Sequence, residues 1–328
     1  MKPASTPRRA GMTLVELLVV ITIIGLLSVA VLPALNRNPE AKRLRDAAEI
    51  VSSHLNQQMS RALGSRNGSA TWYAAEPATA GAGNGFAVIG LQSGRPRSSV
   101  TGSTTVSDSG LVSLALSGSD ATLLPSPIQF AGVPGEFTAV SITRVSVSGT
   151  TAEDLSMNRT LANVALPLAP TTPLPYVLSI PPRQRLQVSA PALQNNTCID
   201  LGGSTIGVWG FSAVTPITLA DCKTLSIEFD KSGRPTAAWR QLSATGDWKR
   251  SLLSATAPLA LLIGLRSQAG AGVVATPTTD NPGANWQNPA SRWVVLDPRS
   301  SAVRIVENSS NSTISGAQAY VLQTLRGL

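Results

Sequence analysis

Residues 8–16, Arg8-Arg9-Ala10-Gly11-Met12-Thr13-Leu14-Val15-Glu16, run without a break into LLVVITIIGLLSVAVLPAL, residues 17–35. A short basic leader and a glycine thus stand before an apolar run that holds a single carboxylate. From Met12 to Leu35 the run counts 24 residues, which as a helix rising about 1.5 Å per residue covers about 36 Å. That length predicts a transmembrane helix, since a hydrocarbon core is roughly 30 Å thick. Lys2, Arg8 and Arg9 precede the run with no acid among them. The lysine and arginine bias therefore keeps residues 1–11 in the cytoplasm and sends the C-terminal side across the membrane.

Two ordinary readings compete. A secretory signal peptide also begins basic and turns apolar, but its apolar stretch is usually about 7–15 residues and ends at a small-x-small cleavage site. No such site directly follows Leu35. A plain signal anchor fits the hydropathy alone. Glu16 counts against it, because a carboxylate in a lipid-facing helix costs roughly 2.5–3.5 kcal/mol on insertion scales and marks a functional position with a partner. Cleavage after Gly11 would free an amine at Met12, and such an amine on a neighbouring copy would neutralise Glu16 inside a packed bundle, where an unpaired charge is costly.

On these residues the segment resembles the N-terminus of the type IV prepilin and pseudopilin superfamily. Gly11 corresponds to the last leader residue, Thr13, Leu14 and Glu16 to the start of the mature chain, and Gly25 and Pro33 to a helix-loosening glycine and proline. Met12 stands where that family usually has phenylalanine, and the leader of 11 residues is longer than many. The resemblance covers about 55 residues of the N-terminal part. It implies cutting after Gly11 by a prepilin peptidase, methylation of the Met12 amine, and a register set by Glu16 as subunits leave the membrane for a filament. The partners it implies are other pilins or pseudopilins, the prepilin peptidase, an inner-membrane assembly platform and membrane lipid. The location it implies is the inner membrane, N-terminus in the cytoplasm and head in the periplasm, and then a pseudopilus or pilus.

The helical pattern resumes beyond the apolar run. Asn36-Arg37-Asn38-Pro39-Glu40 reads as a cap with proline at the first helical position. Leu44, Ala48, Val51, Leu55, Met59 and Ala62 then recur at steps of three or four, while Lys42, Arg43, Arg45, Asp46 and Glu49 fall elsewhere. Residues 36–66 are thus an amphipathic extension laid against a globular head. Pro33 and Pro39 predict a bend or local melting between the two helical halves.

Past Arg66 the composition turns to Gly, Ser, Thr, Ala and Pro with sparse charge. Strands are predicted at Phe86–Leu91, Leu111–Leu116, Phe137–Ser148, Tyr176–Ile180, Thr205–Phe211, Thr224–Asp230, Thr236–Leu242, Leu259–Leu265, Arg292–Leu296 and Ala302–Val306. The class is α+β: a long N-terminal helix packed on an antiparallel sheet. Residues 67–190 form a β-rich region with room for an inserted subdomain. Its loops are Gly81–Gly85, Ser98–Ser109 and Leu166–Pro175. Residues 191–328 form the sheet head, and Gly316–Leu328 reads as a short C-terminal helix with Ala319, Leu322 and Leu325 on one face.

Two hairpins stand out in the head. In TLSIEFDKSGRPTAAW, residues 224–239, the Asp230-Lys231-Ser232-Gly233 turn joins two strands, and Pro235 makes the second an edge or a late starter. In RWVVLDPRSSAVRIVE, residues 292–307, a turn centred on Pro298 does the same. This order of hairpins is similar to the H-type minor pseudopilins of type II secretion.

The two cysteines, Cys198 and Cys222, both fall on the exported side. An even pair in an oxidising compartment predicts one disulfide, closing a loop of about 25 residues and stabilising by about 3 kcal/mol. Metal binding is the alternative, although no histidine stands near either cysteine.

Catalysis finds little support. His54, the one histidine, is expected on the helix surface, and Glu153-Asp154, the one adjacent pair of acids, in a solvated turn. No nucleophile elbow, phosphate loop, zincin helix or calcium loop occurs. The chain is thus expected to be a structural subunit with no cofactor and no metal site.

The formal charge of +8 falls to +5 once the three leader cations are removed, leaving 23 Lys and Arg against 18 Asp and Glu. Arg240, Lys249, Arg250, Arg266, Arg292, Arg299, Arg304 and Arg326 lie in the C-terminal third with Trp239, Trp248 and Trp293 among them. Some pilins resembling the H-type bind DNA through cationic residues near the C-terminus, and on that resemblance Arg240, Lys249, Arg250, Arg292 and Arg304 are candidate phosphate contacts. The competing reading is a scattered, solvated surface, since no dense basic run is present. A surface-exposed pilin that captures DNA or another ligand is therefore the alternative to a purely structural subunit.

Overall fold

The computed structural model describes residues 14–35, 39–77, 86–97, 99–106, 111–116, 128–131, 139–147, 150–157, 174–185, 191–194, 196–207, 216–242, 248–254, 257–270, 283–309 and 313–326. For 27–35 and most of 100–157 that description stops at secondary structure and strand pairing. The chain divides into two compact units, Met1–Lys42 and Arg43–Leu328.

The first unit is built on helix α1, Leu14–Leu35. The expected helix breaks at Gly25 and Pro33 do not occur: α1 is helical through both, from Leu14 to Leu35. Proline lacks only one donor and is best tolerated close to a helix end, and Pro33 stands two residues from that end. Helix α2 starts at Pro39 and runs to Leu63. There the missing N–H would have had no helical partner anyway.

In the second unit the strands are β1 Ser69–Pro77, β2 Phe86–Val88, β3 Gln92–Arg95, β4 Val100–Val106, β5 Leu111–Leu116, β6 Ile128–Phe130, β7 Ala139–Val147, β8 Thr150–Met157 and β9 Leu174–Leu178. They continue with β10 Arg183–Gln184, β11 Thr197–Ile206, β12 Ile217–Thr218, β13 Thr224–Phe229, β14 Pro235–Gln241, β15 Trp248–Leu252, β16 Leu259–Leu265, β17 Arg292–Asp297 and β18 Ala302–Glu307. A 3-10 turn, Asn285–Gln287, precedes β17, and helix α3, Ile314–Arg326, follows β18. The larger sheet has the order β15-β14-β13-β1-β2-β11-β16-β17-β18, with β3 beside β1, β10 beside β3 and β12 beside β11. A second sheet, β6-β9-β4-β5-β8-β7, is inserted between β3 and β10 in the chain. The described pairings are antiparallel throughout.

Side-chain alternation explains why both faces of the large sheet are covered. In β16 Leu259, Leu261 and Ile263 join the cluster formed with Leu44, Val51 and Leu55 of α2. Ala260 and Leu262, pointing the other way, join Ala317 and Val321 of α3. A strand buried on both faces reads as a continuous apolar run, and LALLIGL is one. The face of α2 comprises Leu44, Ala47, Ala48, Val51, His54, Leu55, Gln58 and Ala62, with Met59 partly buried. On α3, Ala317, Val321 and Leu325 pack into the cluster with Ala260 and Leu262.

Gly68 closes the turn between α2 and β1 with φ +76°, and a Cβ there would stand 2.1 Å from the Phe229 carbonyl oxygen. The two predicted hairpins form with Thr224 opposite Gln241 and Arg292 opposite Glu307. Pro235 is a late starter and not an edge, since β14 lies between β13 and β15. In the first turn Asp230 Oδ1 accepts from Ser232 N at 2.8 Å, Ser232 Oγ at 2.6 Å and Arg234 N at 3.0 Å. In the second, Asp297 accepts from Arg299 N and Ser300 Oγ.

Three expectations need correction. Ser98–Ser109 is not all loop, since β4 occupies Val100–Val106. Glu153 and Asp154 lie in β8, opposite Leu114 and Ser113 on one side and Arg144 and Thr143 on the other, not in a turn. The strand placed at Thr205–Phe211 ends at Ile206 and begins earlier, at Thr197. In each case Ser, Thr and Gly supply strand backbone without the apolar alternation that sequence reading depends on. Gly81–Gly85 lies outside the described residues.

Candidate functional site

Helix α1 presents an apolar surface. Leu14, Val15, Leu17, Leu18, Val19, Val20, Ile21, Ile23, Ile24 and Leu26 are all exposed, Leu14 at 79% and Leu26 at 68%. These positions surround the helix on every side, and a helix apolar all round belongs in lipid or in a protein core. Over Leu14–Leu26 its polar side chains are Glu16, in the first turn, and Thr22, whose Oγ1 donates to the Leu18 carbonyl at 2.7 Å. Glu16 is thus the one ionisable group on the described part of an otherwise apolar surface. Gly11, Met12 and Thr13 lie outside the described residues. Among the described residues no helix is long and apolar enough to cross a membrane. The expected span includes 27–35, where only the helix itself is described.

Helix α2 carries a departure from expectation at His54. The residue is 4% exposed, because it falls three after Val51 and four before Gln58 on the buried stripe. Burial pushes its imidazole down to about 4; a hydrogen bond to the Gln92 carbonyl opposes this and nearby Arg61 adds to it. Nε2 lies 3.3 Å from that carbonyl, and the ring tilts against Tyr73 at 5.9 Å. A neutral, packed imidazole here is a core residue. Next to it, Gln58 Nε2 and Arg61 Nη1 both donate to Ser93 Oγ, tying α2 to β3.

The expected disulfide is absent: Cys198 and Cys222 are both free and buried. Cys198 packs with Ala87 and Ala269, whereas its neighbour Ile199 and Cys222 belong to the cluster under α2. The two sulfurs therefore sit on opposite faces of the sheet. Burial raises both thiols, Cys222 to about 12, and Cys222 Sγ donates to the Thr224 carbonyl at 3.0 Å.

The candidate phosphate contacts fall into two groups. Arg240 and Lys249 face each other across β14 and β15, at one end of the sheet. Arg292 and Arg304 lie on β17 and β18, at the other end. Arg240 is half-buried, with Nη1 toward the Thr218 carbonyl and Nη2 toward Ser251 Oγ, and burial lowers its affinity for its proton. Arg292 pairs with Glu307 at 3.3 Å and donates to the carbonyls of Pro289, Ala290 and Ser291. Arg250 lies over the Trp239 ring at 5.6 Å, on the opposite face from Arg240. Trp239, Trp248 and Trp293 are buried, so none offers a face for stacking with bases.

Two polar features of the head had no sequence signal. Asp200, fully buried, accepts from Asn285 Nδ2 at 2.8 Å and from Gly202 N at 2.9 Å. Burial raises its carboxyl to about 6 against those bonds. The second is a cavity between the two sheets beside Arg250. Among the described residues no three His, Cys, Asp or Glu are grouped to hold a metal ion.

Residues 6–32 match the family model described as the prokaryotic N-terminal methylation motif. This motif supports a type IV pilin-like protein, and it implies in general prepilin peptidase processing and pilin assembly, with attachment to a membrane or a pilus. The family it defines is structural and not enzymatic. The α+β fold, an N-terminal helix followed by a large antiparallel sheet, is consistent with that class. No curated protein and no solved structure matches the chain.

Proposed function

We propose that this chain is a minor pilin or pseudopilin, cleaved after Gly11, methylated at Met12 and assembled into a type IV pilus or a type II secretion pseudopilus. The observation that carries this reading is the methylation motif over residues 6–32, set on a helix whose exposed apolar surface bears one carboxylate, Glu16. Before assembly that surface lies in the inner membrane with the leader in the cytoplasm. After assembly neighbouring copies cover it, and the Met12 amine of one copy balances Glu16 of the next. The assembly platform and the peptidase act on the N-terminal segment, while the head faces the periplasm and then the fibre surface.

Its hairpins, β13–β14 and β17–β18, support a head of the H-type pseudopilin kind within this class, with the β4–β9 sheet as an inserted subdomain. The dispersal of Arg240, Lys249, Arg292 and Arg304 over opposite ends of the sheet favours a structural role over DNA capture. Intact mass of the membrane-derived protein tests the proposal. A mature chain beginning at an N-methylated Met12 is expected, and one still beginning at Met1 overturns it. Glu16→Ala is expected to insert into the membrane and fail to enter the fibre.

A further inference from the structure

Helix α2 borders an open groove of about 750 Å³, lined by Asp46, Glu49, Ile50, His54 and Ser60 and by Pro191 of the segment after β10. This groove is separate from the N-terminal segment on which the pilin reading rests. His54 is its most informative wall. The Gln92 carbonyl, 3.3 Å from Nε2, can only accept, so Nε2 carries the ring hydrogen. Burial keeps the imidazole neutral at neutral pH, and in a neutral ring the other nitrogen is then a lone pair. That nitrogen, Nδ1, is buried with no hydrogen-bond partner, in a residue only 4% exposed. A buried acceptor left without a donor costs about 1–3 kcal/mol. The open groove that His54 lines gives an outside donor a way in.

Charge and length decide what fits. Asp46 is exposed and forms no ion pair among the described residues, while Glu49 pairs with Arg45 at 3.3 Å. Arg61 lies at the other end, just beyond Ser60, with Nη1 on Ser93 Oγ. A cation is therefore favoured at the Asp46 end and opposed at the Arg61 end. Asp46 and His54 stand about 12 Å apart along the helix axis, too far for one small cation to meet both. An extended chain, rising about 3.3 Å per residue, covers that distance in about four residues. From Asp46 to Ser60 the helix advances about 21 Å, enough for about six extended residues. We propose that the groove along α2 receives an extended basic segment of a partner protein, with a lysine or arginine against Asp46 and, about four residues along, a hydrogen-bond donor on His54 Nδ1.

His54 is the single histidine of the chain, so isotopically labelled histidine reports on this one ring in the full-length protein in nonionic micelles. The probe is a capped peptide of glycine and serine with about four residues on either side of a central arginine; the comparison peptide has glutamate at its centre. The Nδ1 resonance is expected to move saturably, toward the position of a hydrogen-bonded lone pair, with the arginine peptide and to stay in place with the glutamate peptide. Asp46→Asn is expected to weaken binding about threefold, the order that an exposed ion pair supplies, and added salt to weaken binding by the wild type. His54→Phe is expected to weaken the labelled arginine peptide about tenfold in fluorescence anisotropy. If His54→Phe does not fold, Asp46→Asn decides, since it alters an exposed side chain with no ion pair. Absence of a saturable Nδ1 shift overturns the proposal, as do an equal response to the glutamate peptide, undiminished binding by Asp46→Asn, and an Nδ1 that carries the proton in the free protein. An Nδ1 resonance that moves with protein concentration alone overturns it too, because a second copy would then fill the groove.

Discussion

Asn285 donates Nδ2–H to Asp200 Oδ2 at 2.8 Å where neither residue meets solvent, and the same amide oxygen accepts from Leu265 N at 2.8 Å. One side chain thus joins the irregular stretch of β11 after Asp200, the end of β16 and the 3-10 turn before β17. The amide fits only because residue 264 is glycine, since a Cβ there would stand 2.1 Å from Asn285 Cγ. Removing a partner from a buried charged acceptor costs its desolvation, about 2–3 kcal/mol. Asn285→Ala is expected to lose stability of that order in urea unfolding, and Gly264→Ala to lose at least as much.

Asp200 and His54 give opposite pH signatures. The carboxyl of Asp200 is raised to about 6, so the folded state holds its proton more tightly than the unfolded chain does, and this contribution to stability grows as pH falls from about 6 to about 4. His54 is lowered to about 4, so the unfolded chain binds the proton more readily, and stability is lost as pH falls from about 6.5 to about 4. Each effect is on the order of 3 kcal/mol, and in the wild type they offset each other. Relative to wild type between pH 6.5 and 4, Asp200→Asn is expected to lose stability more steeply on acidification and His54→Gln to lose it less steeply. Urea midpoints at several pH values check both signs.

Two free, buried thiols predict a specific reactivity. In the folded protein both cysteines are expected to resist an aromatic disulfide reagent, because burial raises both thiols and blocks access. On unfolding both should react, giving two thiols per chain. Two unreactive sulfurs under denaturing, non-reducing conditions would restore the disulfide reading.

Gly68→Ala tests the turn that leads from α2 into the sheet. The backbone is at φ +76° and the new methyl would meet the Phe229 carbonyl oxygen at 2.1 Å. Strain of this kind costs roughly 1–3 kcal/mol before the clash is counted. A larger loss in thermal unfolding is expected than for Gly64→Ala, where a Cβ meets nothing closer than 3.9 Å.

Elements with a strong apolar period were legible before the structure. Leu111–Leu116 and Leu259–Leu265 form strands with the bounds their apolar content suggests, and the α2 stripe differs from expectation mainly by the polar residues His54 and Gln58. Strands such as Val100–Val106, VTGSTTV, and Ser69–Pro77 were not legible. Their side chains carry little alternation, and they are strands because of the neighbours they pair with. β1 is the clearest case, since its place between β13 and β2 joins residues some 150 positions apart.

The sequence by itself determined the N-terminal segment: the methylation motif over residues 6–32 and an apolar run bearing one acid are written in local order and hydropathy. The tertiary structure alone decided which polar groups share a site. It set the cysteines on opposite faces of one sheet, buried His54, drew Asp200 to Asn285 and placed Arg97 beside Arg250. Those outcomes follow from strand order and from alternation of side chains across paired strands, and pairing between strands far apart in the chain leaves no local mark.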